Sequence, residues 1–71
     1  MTEVRAPMPA NVVDILVAVG DSVDEYQELV ILESMKMEVP VEAPAAGTVE
    51  SIGVSAGEAV AENQVLLTLS T

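Results

Sequence analysis

The stretch "VRAPMPANVVDILVAVGDSVDEYQELVILES" at residues 4–34 lies without a gap over "VEAPAAGTVESIGVSAGEAVAENQVLLTLST" at residues 41–71. At this offset of 37 residues Val4 meets Val41, Pro7 meets Pro44, Val12 meets Val49 and Ile15 meets Ile52. Farther along, Gly20 meets Gly57, Val23 meets Val60, Gln27 meets Gln64, Leu29 meets Leu66 and Leu32 meets Leu69. Asp21 against Glu58 keeps the charge. A period of this length is the mark of a duplicated supersecondary unit. The duplication takes in nearly all of residues 1–71, which read as a single domain with residues 35–38 as the joint between copies.

Each copy reads as β-structure. "VRA" stops at Pro7, which has no N–H to give to a ladder. "NVVDILVAV" at 11–19 alternates and puts Val13, Ile15, Val17 and Val19 on one expected face. "GD" at 20–21 and "GE" at 57–58 are turns, and "LVIL" and "VLLTL" are short runs of strand formers. No segment carries a helical stripe. One copy is too small to bury its own apolar face, whereas two copies facing each other can. The expected fold is all-β: a flattened barrel or sandwich of two small sheets related by a pseudo-twofold axis. Under that symmetry the counterpart of the joint is the pair of chain ends. The hairpin carrying Lys36 is therefore expected at one end, opposite the termini.

Composition removes several classes of function. The formal net charge is −10, from twelve acidic and two basic side chains, and Cys and His are absent. Disulfides, thiolate chemistry, imidazole metal ligands and the commonest general base are therefore all missing. An acidic chain with Tyr26 as its one aromatic is unsuited to nucleic acid. No apolar run is long enough to cross a bilayer as a helix. The expectation is a cytoplasmic, monomeric, non-enzymatic protein with no catalytic residues, no metal site, and no nucleic-acid or membrane partner. Its carboxylates read as a solvated face that steers it toward electropositive partners.

The joint, "ESMKM" at 33–37, holds the sole lysine, Lys36, between Met35 and Met37. Tight hairpins favour Asn, Asp or Gly at their centre, because the favoured turns need positive φ. Methionine and lysine there conflict with the turn, so a strained or extended tip is expected, as happens at functional sites. Lysine on a loop is ordinarily a solvated charge, and methionine ordinarily fills cores. The lone lysine at a repeat junction, flanked by two adaptable apolar side chains, instead suits docking into a partner's cleft. Glu33 and Glu38 favour the charged amine, so Lys36 is a poor catalyst and a plausible substrate for acylation by another enzyme.

"ESMKMEVPVEAPAAGTV", with "APMPANVVDILVAVGDSV" and "GEAVAENQVLLTL", resembles the biotinyl domain of biotin-dependent carboxylases, whose fold is the barrel-sandwich hybrid. The likeness runs from about residue 4 to 70, and its specific motif is Met35-Lys36-Met37 followed by Glu38, Pro44 and Gly47. Lipoyl domains share the fold and usually carry Asp-Lys-Ala at the hairpin, so the methionines place the resemblance on the biotin side. It implies covalent biotin on Lys36, joined by a biotin protein ligase through biotinyl-adenylate, with Met35 and Met37 as flanking recognition residues. It also implies a carboxyl group carried from a biotin carboxylase to a carboxyltransferase, the ring doing the chemistry and the domain supplying the tether. A lipoyl carrier and an unmodified interaction module are the alternatives. Departures from the pattern are Ala10, Tyr26 and Asn63, which stand where glycine is common, and Ser34, which replaces a frequent alanine. Such carriers usually follow an Ala/Pro-rich linker in a longer chain, which leaves a free-standing protein and an excised domain both open.

Overall fold

The computed structural model describes all of residues 1–71 and contains eight strands and no helix. The strands are β1 (Thr2–Arg5), β2 (Ala10–Ile15), β3 (Ser22–Val23), β4 (Glu28–Ser34), β5 (Met37–Glu42), β6 (Gly47–Ile52), β7 (Ala59–Val60) and β8 (Val65–Ser70). They form two four-stranded antiparallel sheets, ordered β1-β8-β6-β3 and β5-β4-β2-β7. Shifting the first order by 37 residues produces the second, so the pseudo-twofold expected from the repeat is real. One expectation needs correction. The copies do not face each other as separate sheets; each sheet takes two strands from each copy. The halves are interlocked, and neither sheet exists without both.

The core obeys the same symmetry. Its sixteen buried residues fall into eight pairs at the repeat offset, seven of them identical and the eighth Val30 with Leu67. Leu29, Leu32, Leu66 and Leu69 are fully buried at its centre. The core contains no polar side chain, so its cohesion is apolar packing across the two sheets.

The repeated polar residues close turns. Ala18–Asp21, Asp24–Gln27, Ser55–Glu58 and Ala61–Gln64 each have the last N–H donating to the first carbonyl oxygen, at 3.0–3.1 Å. In each, the last side chain also accepts from the first N–H: Asp21 Oδ2 from Ala18, Gln27 Oε1 from Asp24, Glu58 Oε1 from Ser55 and Gln64 Oε1 from Ala61. The third residue of every turn has positive φ: Gly20 at 96°, Tyr26 at 70°, Gly57 at 90° and Asn63 at 68°. A type II turn requires this. Tyr26 thus adopts a left-handed geometry that is costly for a residue with a Cβ, while its ring stays exposed.

The long alternating run at 11–19 is not one strand. β2 ends at Ile15, and its pairing with β4 slips between Val12 and Asp14. The bulge changes which side chains face inward. Val12 and Val17 are buried, whereas Val13 and Val19, expected on the inner face, are exposed. Short edges limit unwanted pairing: β3 and β7 have two residues each, and edge strand β5 carries Pro40 between Glu38 and Glu42.

Candidate functional site

The joint is a two-residue hairpin. β4 and β5 pair from Glu28↔Glu42 through Glu33↔Glu38 to Ser34↔Met37, leaving Met35 and Lys36 as the loop. The expected joint of 35–38 therefore shortens, since Met37 and Glu38 belong to β5. Both loop residues have positive φ, 53° at Met35 and 66° at Lys36. That is the requirement of a type I′ turn. The strained tip expected from the sequence is present. Each residue with a side chain in this region costs about 1–2 kcal/mol, and neither has the local hydrogen bonding that eases Asn or Asp into it. The geometry is imposed from below, because Leu29, Val30 and Leu32 of β4 are locked in the core and Val41 of β5 joins them.

Three side chains project from this turn. Met35 is 92% exposed and Met37 is 67% exposed, so neither fills the core. Lys36 is exposed and in no ion pair; the one salt bridge of the chain joins Arg5 to Glu3. Arg5 also donates to the Asn63 carbonyl at 2.8 Å. Of the two basic side chains, then, one is committed to structure and Lys36 is free. Glu33 and Glu38, its acidic neighbours in sequence, face each other across the hairpin instead of gripping the amine. No three acidic side chains gather into a cluster that could hold a metal ion.

The tip lies at the far end from the chain termini. Ala10 and Asn11 of β2, beside the hairpin, pair with Val60 and Ala59 of β7. One turn after β7, β8 begins at Val65 and runs to Ser70. At the rise of an extended strand this is roughly 20 Å. There β8 pairs with β1 through Thr2↔Leu69, and the Thr2 and Thr71 hydroxyls meet at 2.8 Å. The long dimension of the molecule is 32 Å.

A shallow cleft of about 350 Å³ opens on the flank of the tip, lined by Pro9–Asn11, Glu33–Met35 and Ala59–Val60. Sequence reasoning did not find it.

An exposed, unpaired primary amine on a rigid two-residue turn, flanked by two solvent-facing methionines, fits a group attached through an amide. It holds one primary amine, Lys36 Nζ, exposed at the tip of the hairpin.

Comparison with known proteins gives the same assignment. Residues 2–69 match the family model described as "Biotin-requiring enzyme", the biotin/lipoyl family. The chain is 49% identical over 65 residues to a biotin carboxyl carrier protein of Streptococcus mutans, covering 92% of this chain and 50% of that one. It is 40% identical over 68 residues to a biotinylated protein TB7.3 homolog of Mycobacterium leprae, covering 96% of each. Among solved structures it superposes on a single-chain, multi-domain long-chain acyl-CoA carboxylase with a TM-score of 0.89 and 30% identity. That match covers 99% of this chain and 7% of the carboxylase. The chain thus spans half of the streptococcal carrier, a small part of the carboxylase and almost all of the mycobacterial protein. It belongs to the biotin/lipoyl attachment family, with covalent biotin as its cofactor and a carrier role.

Proposed function

We propose that Lys36 Nζ is the attachment point, and that the domain serves a biotin-dependent carboxylase as its mobile carrier. The single observation that carries this reading is the free lysine on the strained turn: it is the only lysine, unpaired, and held clear of the surface by the β4–β5 hairpin. A biotin protein ligase loads it. In that step a bond forms between Nζ and the acyl carbon of an activated biotin. The bond from that carbon to the leaving adenylate oxygen breaks, and the amine's proton passes to the ligase. Met35 and Met37 supply the apolar contact that seats the tip in the ligase, since exposed thioethers adapt to a partner's surface at little conformational cost.

When bound, biotin supplies a ureido ring that accepts and donates a carboxyl group. The chain's part is mechanical and electrostatic. The hairpin holds the tether at a fixed height above the core, and the tether raises the local concentration of the ring at two partner sites. The acidic surface favours encounter with electropositive partner faces. The carrier works in the cytoplasm as a monomer, its short or Pro-bearing edges discouraging self-association.

The test is intact mass after co-expression with a biotin protein ligase and ample biotin. One biotinyl group on Lys36 is expected, and none on Lys36→Arg, which keeps the charge and the exposed position. An unmodified chain would leave the interaction-module reading standing, and a lipoyl adduct from the native organism would replace biotin with the alternative cofactor. Capture of the biotinylated chain on avidin, followed by identification of a carboxylase, tests the partner assignment.

A further inference from the structure

The pseudo-twofold provides an internal control on the tip. The strands beside Lys36 have counterparts at the opposite end of the fold, whereas the Met35–Lys36 turn has none, so the two ends differ in that turn and in the side chains set beside it. The cleft of about 350 Å³ is such a difference. Its symmetry mate is framed by Gly47 and Thr48 of β6, Ser22 and Val23 of β3, and Ser70 and Thr71. No cleft opens there. A methyl added at Gly47 would lie 2.7 Å from the Ser70 carbonyl oxygen and 2.9 Å from Thr71 Cγ2. Ser70 and Thr71 therefore lie close over that position, and a hydrogen bond between the Thr2 and Thr71 hydroxyls ties them to β1.

At the tip the same place is left open. Ala10, the mate of Gly47, carries the methyl that prevents so close an approach. Ser34, the mate of Thr71, has no side-chain hydrogen bond, and neither has Asn11 or Glu33. The recess is lined by Pro9, Ala10 and Val60 together with Asn11, Glu33 and Ser34, whose side chains make no hydrogen bond. Met35, bonded directly to Lys36, forms part of the wall, so the recess begins at the tether point.

We infer that this recess is a resting subsite for the head group carried on Lys36, a fused bicyclic urea. The inference rests on the attachment proposed above. A urea of this kind presents two N–H donors and one carbonyl acceptor. The Glu33 carboxylate and the Ser34 hydroxyl accept hydrogen bonds, and the Asn11 amide donates to the carbonyl. The sulfur-bearing ring faces Ala10 and Val60. Tethering makes weak contacts sufficient, because the effective concentration of a group on a short linker reaches the millimolar range. Parking the ring lowers its exposure between partner visits and leaves it free to swing out on docking.

The experiment compares amide and methyl NMR spectra of unmodified and fully biotinylated protein, the modification being verified first by mass. Expected are shifts at the Asn11 side-chain amide, Ala59 and Val60, with nuclear Overhauser contacts between them and the ring. In biotinylated Asn11→Ala, with the same exposed backbone position, the shifts at Ala59 and Val60 fall back to those of the unmodified protein. Shifts confined to residues 35–37 would overturn the subsite while leaving attachment intact. A missing mass increment would instead refute attachment, and the subsite with it. Shifts at Ala59 that survive Asn11→Ala and respond equally to a biotin-free acetyl group on Lys36 would also overturn it.

Discussion

Gly47→Ala isolates the packing difference between the two ends of the fold. The new methyl would sit 2.7 Å from Ser70 O and 2.9 Å from Thr71 Cγ2. The threonine methyl can rotate away. The carbonyl cannot, because Ser70 is paired to Thr48 and the next residue is bonded to Thr2. The strand end must therefore lift. Forcing a methylene into a filled site costs about 1–3 kcal/mol. Removing glycine's freedom in the unfolded chain recovers about 0.4–1 kcal/mol. The net loss is about 1–2 kcal/mol, or roughly 5–15 °C in a domain of this size at ~4–8 °C per kcal/mol. Urea unfolding monitored by circular dichroism measures it, with thermal melts as a second reading. Biotinylation at Lys36 should be unchanged, since the perturbation lies at the opposite end. A stability within about 0.3 kcal/mol of the parent, an ordinary surface-substitution value, would refute the claim that the chain end seals this position.

Tyr26→Gly relieves positive φ at an exposed side chain. It should stabilise by about 0.5–1 kcal/mol after the added unfolded-state freedom is subtracted. Asn63→Gly at the matching turn should change stability by less than half as much, because asparagine tolerates this geometry. Equal effects in urea melts would show that left-handed strain is not what separates the two residues. Met35→Asn should stabilise the hairpin by about 0.5–1 kcal/mol while slowing ligation, read as the initial rate of biotin incorporation. An unchanged rate would remove Met35 from recognition. Ligation by a biotin protein ligase should slow as sodium chloride is raised from low to high concentration, since the −10 charge acts by screened long-range attraction. A salt-independent rate would confine the carboxylates to solubility.

The duplication makes much of the architecture legible in the order of residues alone. Ungapped matches at Val4/Val41, Leu29/Leu66 and Leu32/Leu69 are core pairs because both copies must fill one shared interior. Asp21/Glu58 and Gln27/Gln64 match for another reason, since each closes a turn with its side chain. The exchange of strands between sheets is not legible in this way: a repeat specifies equivalence between copies and is silent on which copy's strand lies beside which. Val13 was misplaced because period-two alternation assumes an uninterrupted ladder, which slips between Val12 and Asp14, and Val19 because β2 ends at Ile15 and Val19 lies in the Ala18–Asp21 turn. At the site, Met35 and Lys36 were readable because their chemistry contradicts the turn they occupy, and Met37 because it flanks the sole lysine. The cleft was not, because Ala59 and Val60 reach it through β7, far along the chain from Lys36.

The two ends of the molecule show what a duplicated scaffold makes possible. Met35 and Lys36 both sit in the left-handed region. Together they hold about 2–4 kcal/mol of strain. A domain of this length has about 4–10 kcal/mol of total stability. An Asn-Gly turn would remove the strain, yet it would also remove the amine and one of the thioethers around it. The strain is sustainable because the ladder below the turn is anchored by a core in which every buried position is supplied twice. At the other end the symmetry-related position is closed by Ser70 and Thr71 lying over a glycine. The two ends share one arrangement of strands and differ in the Met35–Lys36 turn and in the side chains set beside it. Among the residues that differ between them, Ala10 with Gly47 and Ser34 with Thr71 are where substitutions should separate stability from cofactor handling.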